Sequence, residues 1–359
     1  VSARRNAPAN FASDNVAGAL PEVIAAVSEA AAVSAMPYGD DPWTGRVSQK
    51  LRDIFETELW AFPVATGTAA NALALSAVCP PFGTVFCHPL SHINTDECGA
   101  PEFYTGGAKL TLVEGPDAKL DPAALDAAIA AARPHGVHNM PPAAVSITQE
   151  TEAGAVYAHG EVDAIAEVAQ RHGLVLHMDG ARFSCALAAL DCTPAEATWK
   201  RGVDVLSFGA TKGGAMAAEA VIFFREDFAA AFGERRKRGG HLLSKMRFVS
   251  AQLDGYLSDD AWLRAARYAN GGAARLGAGL AGLDGAELVR PVEGNMVFAR
   301  LPLAALNRLE ADGHRFYRVG NDGTIRLVVS WSTPEVEIDG FLAAVADAVS
   351  HVGSGGGAA

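Results

Sequence analysis

Apolar residues recur along this chain in short continuous runs, separated by alanine-rich stretches, the pattern of strands buried between helices. A helix is expected over 21–35, with Pro21 in its first turn. The cluster Tyr38-Gly39-Asp40-Asp41-Pro42 then reads as a loop. Beyond it the pattern alternates, with a helix over 68–78 and strands over 84–87 and 109–113. Asp121 caps and Pro122 opens a helix running to 133. A strand over 143–149, a helix over 161–172 closed by Gly173, and a strand over 174–178 follow. Thr193-Pro194-Ala195-Glu196 is a capping box that starts another helix. Strands are expected over 203–208 and 220–224. Strands that are apolar throughout, rather than alternating, predict an α/β fold with a mainly parallel sheet covered by helices on both faces.

Past Gln252 the order changes to a long helix (258–283), strands over 287–292 and 296–301, a helix over 303–312, a strand over 324–331 and a last helix from Pro334. The expected organisation is an arm over 1–20, a large domain over 21–255, a smaller C-terminal α+β domain over 256–352 and a flexible tail over 353–359.

At 359 residues, half of them hydrophobic, the chain can bury a large core. Its net charge of -12, with no basic run longer than Arg235-Arg236-Lys237-Arg238, argues against nucleic acid or an anionic membrane as the main partner. That run reads as a solvated helix face. The five cysteines (79, 87, 98, 185 and 192) show no CxxC spacing, so they read as reduced core thiols of a cytoplasmic protein. No secretory segment opens the sequence, Val1 suggests a trimmed start, and no apolar run reaches the roughly 18 residues of a membrane span. No metal-ligand spacing emerges; His135 and His138 are expected at the surface, His177 in the core.

Lys212 is one of only seven lysines, and it sits among small uncharged residues at the end of an apolar run, Ser207-Phe208-Gly209-Ala210-Thr211-Lys212-Gly213-Gly214. Such a lysine sheds its proton easily and suits Schiff-base chemistry, although a solvated loop lysine would read the same way. Asp179 ends a second strand, and ligands of open parallel sheets bind beyond such ends. An amine and a carboxylate converging there meet two needs of pyridoxal phosphate, a covalent anchor and a partner for the ring nitrogen. A structural salt bridge is the other reading of Asp179. Thr66-Gly67-Thr68 leads straight into a helix, whose free N–H groups favour a phosphate. His92, four residues before Asp96 and on one helix face with it, can stack on a pyridine ring or move a proton.

Ser13-Asp14-Asn15, the 38–42 loop, Thr66-Gly67-Thr68 with Asn71, His92 with Thr95-Asp96-Glu97-Cys98-Gly99, Asp179-Gly180-Ala181-Arg182 and Ser207-Phe208 with Thr211-Lys212 occur in this order. Together they resemble the low-specificity L-threonine aldolases of the β-eliminating lyase group, which are fold-type I pyridoxal phosphate enzymes of aspartate-aminotransferase-like architecture. The stretches 92–102 and 238–245 resemble the bacterial branch that also handles phenylserine. The resemblance implies roles: Lys212 as the Schiff-base lysine, Asp179 as the pyridinium partner, His92 as the stacked ring, and Gly67 and Thr68 as phosphate holders. Ser13, Arg182 and Arg326 would take the substrate carboxylate, Arg182 being also near the cofactor. Asp96 would contact the β-hydroxyl or its substituent. For Arg326, inside an apolar strand, the alternative partner is a protein carboxylate.

The chain departs from many relatives in reading Lys212-Gly213-Gly214 where they carry an asparagine after the lysine, which suggests a looser turn. It also reads Glu152 where one branch has a second histidine. His92, Glu152 and water therefore remain candidates for the general base. The implied activity is reversible cleavage of L-threonine, L-allo-threonine and related β-hydroxy-α-amino acids to glycine and an aldehyde. β-Elimination, dehydration or transamination on the same cofactor is the alternative, and a non-catalytic binding protein the third. Active sites of this fold sit at subunit interfaces, so a homo-oligomer is expected, at least a dimer and further a tetramer built as a dimer of dimers, with the 38–42 loop nearest a neighbour's site.

Overall fold

The strands β5 (Val175–Gly180) and β6 (Val205–Gly209) are buried at every position, as continuous apolar runs require, and they pair in parallel. They lie at the middle of a seven-stranded sheet in this computed structural model, which describes residues 8–133 and 135–355. The other five strands are β1 (Trp60–Val64), β2 (Thr84–Cys87), β3 (Lys109–Leu112), β4 (Pro142–Thr148) and β7 (Glu219–Phe223), and the order across the sheet is β1-β7-β6-β5-β4-β2-β3. In this sheet β7 runs opposite to the other six strands, because the short return from β6 through the Lys212 turn leaves no room for a crossover helix.

A second, antiparallel sheet follows in the order β10-β11-β9-β8, from β8 (Glu287–Leu288), β9 (Met296–Arg300), β10 (Tyr317–Arg318) and β11 (Thr324–Val328). Its apolar face, with Val297, Ile325 and Leu327, packs on Leu276 of the helix Ala261–Ala281 and on Phe341 and Val345 of the helix Glu335–Gly355.

Some expectations are corrected. The helix α1 (Pro21–Ala31) is shorter than expected, and α2 (Pro42–Phe55) was not expected at all. The signal for α2 was present: Asp41 accepts the Thr44 N–H, Pro42 occupies the first turn, and Val47, Leu51 and Phe55 bury one face. The next helix, α3 (Gly67–Val78), follows β1 directly. The strands β1 and β10 and the helix Arg247–Tyr256 were also unforeseen, and β8 holds two residues rather than six.

Within the segment expected as an N-terminal arm, residues 8–13 lie against the small sheet. Phe11 N–H donates to Arg315 O at 2.8 Å, Val328 N–H to Phe11 O at 2.9 Å, and the buried Phe11 ring meets Phe341 edge-on at 5.1 Å. The final helix continues to Gly355, into the segment expected as tail; residues 356–359 lie outside the described ones. Among the described residues no helix is long and apolar enough to cross a membrane, and no group of three or more His, Cys, Asp or Glu side chains could hold a metal ion.

Candidate active site

The carboxyl ends of β5 and β6 and the start of α3 enclose a cavity of about 370 Å³ lined by Gly67, Thr68, His92, Asp179, Ser207 and Lys212. Thr66 caps α3 by accepting the Ala69 N–H at 3.2 Å, so its side chain serves the third amide and leaves those of Gly67 and Thr68 without a protein partner among the described residues. The place a Cβ would take on Gly67 has nothing within 4 Å, so the backbone faces open space suited to an anion.

Lys212 follows β6 in a tight turn closed by Gly213 N–H to Ala210 O (3.1 Å) and Ala215 N–H to Ala210 O (3.0 Å). The expected looser turn is not observed. A side chain at position 213 would run into the hydroxyl and ring of the buried Tyr256, and Gly214 has φ +126°, so both glycines are required where they stand. The buried Glu219 carboxylate ties the turn down by accepting the Ala210 N–H at 2.6 Å. Burial first, and the Arg182 guanidinium second, hold the Lys212 amine below the usual lysine range, against the pull of Asp14, Asp179 and Glu219. Among the described residues Lys212 makes no ion pair.

Asp179 also lacks a basic partner among the described residues. Its oxygens accept the Ala181 N–H (3.0 Å) and the Asn71 amide (2.8 Å), so the salt-bridge reading falls away. His92 opens a single helical turn, His92–Thr95, with its backbone N–H on Glu152 Oε1 at 2.7 Å and its Nδ1 on Glu97 Oε1 at 2.8 Å. The shared face with Asp96 does not bring that pair together: the turn ends at Asp96, which is exposed and takes the Thr95 hydroxyl at 2.8 Å. The buried carboxylate that holds His92 is Glu97, one residue further on.

A second cavity of about 670 Å³ adjoins the first, since Asn15, His92 and Lys212 line both. Ser13, Asp96, Glu152, Arg182 and Arg326 face it, with an apolar wall from Met296, Phe298 and Val289. Arg182 is clasped by Asp14, a partnership that no local spacing announces. Arg326 donates to Ala12 O at 3.2 Å and lies 5.0 Å from the centre of the Tyr317 ring, while its buried Nε has no partner among the described residues. The alternative of a protein carboxylate for Arg326 is not observed among the described residues. Burial, and Arg182 nearby, lower its pKa. Glu152 is pushed up to about 7 by burial and by Asp179, and the fully buried Glu150 behind Arg182 up to about 8 by burial, with Arg182 opposing.

Comparison with known proteins decides the family. Residues 10–302 match the model of the beta-eliminating lyases. The chain belongs to the beta-eliminating lyase family. A low specificity L-threonine aldolase of Pseudomonas aeruginosa is 47% identical over 324 residues, 90% of this chain and 93% of that protein. Another, from a Pseudomonas species, is 46% identical over 91% of this chain and 94% of its own length. A solved threonine aldolase from Leishmania major superposes with a TM-score of 0.89 at 29% identity, covering 95% of this chain and 100% of that one.

Elsewhere in this beta-eliminating lyase the remaining expectations divide. His135 and His138 are exposed, and His177 is buried between the hydroxyls of Ser146 (2.8 Å) and Ser207 (3.0 Å), its pKa pushed down to about 4 by burial. The basic run is not simply solvated. Arg236 donates to Pro63 O at 3.2 Å over the Phe62 ring, and Lys237 lies 4.7 Å from the Tyr38 ring centre. All five cysteines are free, but Cys98 is exposed and Cys192 partly so, unlike the core thiols expected.

Proposed function

We propose that this chain is a pyridoxal-phosphate-dependent aldolase that cleaves L-threonine, L-allo-threonine and related β-hydroxy-α-amino acids, phenylserine included, reversibly to glycine and an aldehyde. The observation that carries this reading is the pair of adjoining cavities with Lys212 and His92 on the wall of both, one chamber suited to the cofactor and the other to an amino acid. The names of the Pseudomonas and Leishmania relatives support it.

The residues present fit the cofactor. The free Gly67 and Thr68 amides suit its phosphate, Asp179 its ring nitrogen, the His92 ring its face and the depressed Lys212 amine its aldehyde carbon. Bound, pyridoxal phosphate supplies an electron-withdrawing ring that takes up the electron pair of the bond being broken. Arg326 and Arg182, with Ser13 beside them, receive the substrate carboxylate, a charge-assisted contact that fixes which bond at Cα is presented.

Of the candidate bases, His92 fits best. Glu152 Oε1 already accepts the His92 N–H and the Thr148 hydroxyl (3.0 Å), and its Oε2 is sealed from solvent. The His92 ring is partly exposed to both cavities, and its Nε2 has no partner among the described residues. His92 takes the β-hydroxyl proton as the Cα–Cβ bond breaks and the aldehyde carbonyl forms; a proton returned to Cα completes glycine. Asp96, on the rim of the second chamber, contacts the β-substituent.

Incubation with L-threonine is expected to yield glycine and acetaldehyde, and Lys212→Ala to abolish both products. Ammonia and a 2-oxo acid instead would move the chain to elimination. A homo-oligomer, at least a dimer and further a tetramer built as a dimer of dimers, is part of the same proposal. Val33, Met36, Tyr38 and Leu243 are exposed on neighbouring segments, Tyr38 N–H donating to Ser244 O at 3.1 Å. An active monomer in sedimentation would contradict it. The division into a large domain over 21–255 and a small one over 256–352, an N-terminal segment before them, and a cytoplasmic location complete the reading.

A further inference from the structure

The two groups assigned to the cofactor ring, His92 and Asp179, come from segments far apart in sequence, yet one buried amide stands between them. Asn71 Nδ2 donates to Asp179 Oδ2 at 2.8 Å and to Glu97 Oε1 at 2.8 Å, and Glu97 Oε1 meets His92 Nδ1 at 2.8 Å. Asn71 and Glu97 are 2% and 4% exposed. We propose that Asn71 and Glu97 are positioning residues for the aldolase reaction, forming a bridge that holds the His92 ring and the Asp179 carboxylate in one fixed arrangement and keeps the His92 proton on Nδ1, so that Nε2 is the atom offered to the substrate. This rests on the roles given above to His92 and Asp179.

With Glu97 ionised, the hydrogen-bond inventory leaves one consistent assignment. Two carboxylates flank the Asn71 amide, so its NH2 group must face them; an amide oxygen there would meet two acceptors. Glu97 Oε1 therefore already accepts from Asn71, and the contact to His92 is completed by a proton on Nδ1. The other nitrogen of a neutral imidazole is then free to accept, the same logic by which a carboxylate orients a catalytic histidine elsewhere. A carboxylate behind the ring also favours the imidazolium that forms when a proton is taken up. Glu97 in turn raises His92 chiefly through that hydrogen bond.

The bridge explains why two acidic groups tolerate burial so close together. Neither Glu97 nor Asp179 has a lysine or arginine on it among the described residues, and each is met by one hydrogen of the same amide. Asn71 is the fifth residue of α3, the helix whose start suits the phosphate, so one helix places both the phosphate amides and the bridge. His92 and Asp179 are thereby tied to the position of the cofactor's phosphate through a rigid element rather than through loops.

The first test needs no variant. In the wild-type holoenzyme, nitrogen NMR of the His92 imidazole, identified by its loss in His92→Gln, is expected to show the proton on Nδ1 above the ring's titration. A proton on Nε2 overturns the proposal. Glu97→Gln keeps the shape and removes the charge. It should lower the His92 titration midpoint by about one unit, move the acid limb of kcat/KM down with it, and reduce kcat about tenfold or more with little change in KM. Asn71→Leu should move both the His92 midpoint and the pH titration of the cofactor's absorbance, because it releases both carboxylates. A Glu97→Gln enzyme with the wild-type His92 midpoint and acid limb overturns the bridge, whereas a purely structural role for Glu97 would alter stability and leave both unmoved. Should the wild-type enzyme release no glycine from L-threonine, the aldolase reading fails, and the His92 proton position still decides the bridge.

Discussion

Asp14 grips Arg182 with both carboxylate oxygens: Nε donates to Oδ2 at 2.7 Å and Nη2 to Oδ1 at 3.0 Å, in a contact that leaves the Arg182 side chain 11% exposed and Asp14 2%. Asn295 adds a third bond to Asp14 Oδ2 at 3.2 Å. The guanidinium proposed to receive the substrate carboxylate is therefore held from behind. The residue holding it lies in the N-terminal segment that threads between the two sheets.

Asp14→Ala strands a buried guanidinium, and removing one partner of a buried pair costs about 3–5 kcal/mol. Denaturant unfolding should show a loss of that size, with Asp14→Asn milder. Burial would raise the Asp14 pKa, but Arg182 and then Lys212 more than offset it, so the folded value lies below the ordinary 3.8. The contribution is complete above the unfolded value and fades as pH falls through the folded one. Flat stability of Asp14→Asn relative to wild type across acid pH would contradict this.

Arg326 lines the second chamber without a carboxylate partner among the described residues, and in the proposed reading it receives the substrate carboxylate. A hydrogen bond to a charged group is worth about 1.5–3 kcal/mol. Arg326→Gln should thus lower kcat/KM for L-threonine by roughly 10- to 150-fold, chiefly through KM. An unchanged KM would remove Arg326 from the site.

His92 must be neutral to accept a proton. The Glu97 hydrogen bond, ahead of the opposing effect of burial, raises its pKa above the ordinary 6.5. The acid limb of kcat/KM is therefore expected above 6.5, rising as pH passes through the His92 value, and absent from His92→Phe. A limb below 6 in the wild-type enzyme would point to another base.

Gly213 faces Tyr256 at closer than contact distance for any side chain. Gly213→Ala should destabilise the protein by about 1–3 kcal/mol, the cost of overpacking, and weaken cofactor retention because Lys212 is the preceding residue. Thermal unfolding of the two proteins with and without pyridoxal phosphate separates those effects. A Gly213→Ala enzyme as stable as wild type would show that Tyr256 yields.

Much of the large sheet was legible because its strands are apolar throughout: β2 was located to the residue, and β4 to β7 to within two residues at each end. Asp41-Pro42 announces the helix α2, yet a Gly/Asp/Pro cluster reads first as a loop. Tyr317 and the Met296 wall carried no local signal, for their part in the second chamber depends on where the small sheet docks.

By itself the sequence determined the order of motifs, the family they resemble and the chemistry that Lys212, Asp179 and the Gly67-Thr68 helix start can do, because those properties reside in residue type and immediate neighbours. Partnership was decided only by the tertiary structure. Spacing along a helix suggested Asp96 for His92, yet the turn ends there and buried Glu97 takes the ring. No spacing could pair Asp14 with Arg182, 168 residues away, or place Asn71 between Glu97 and Asp179. Hydrogen bonds of a few ångströms are satisfied by whatever the packed sheet and helices bring within reach, and that reach is set by the fold as a whole.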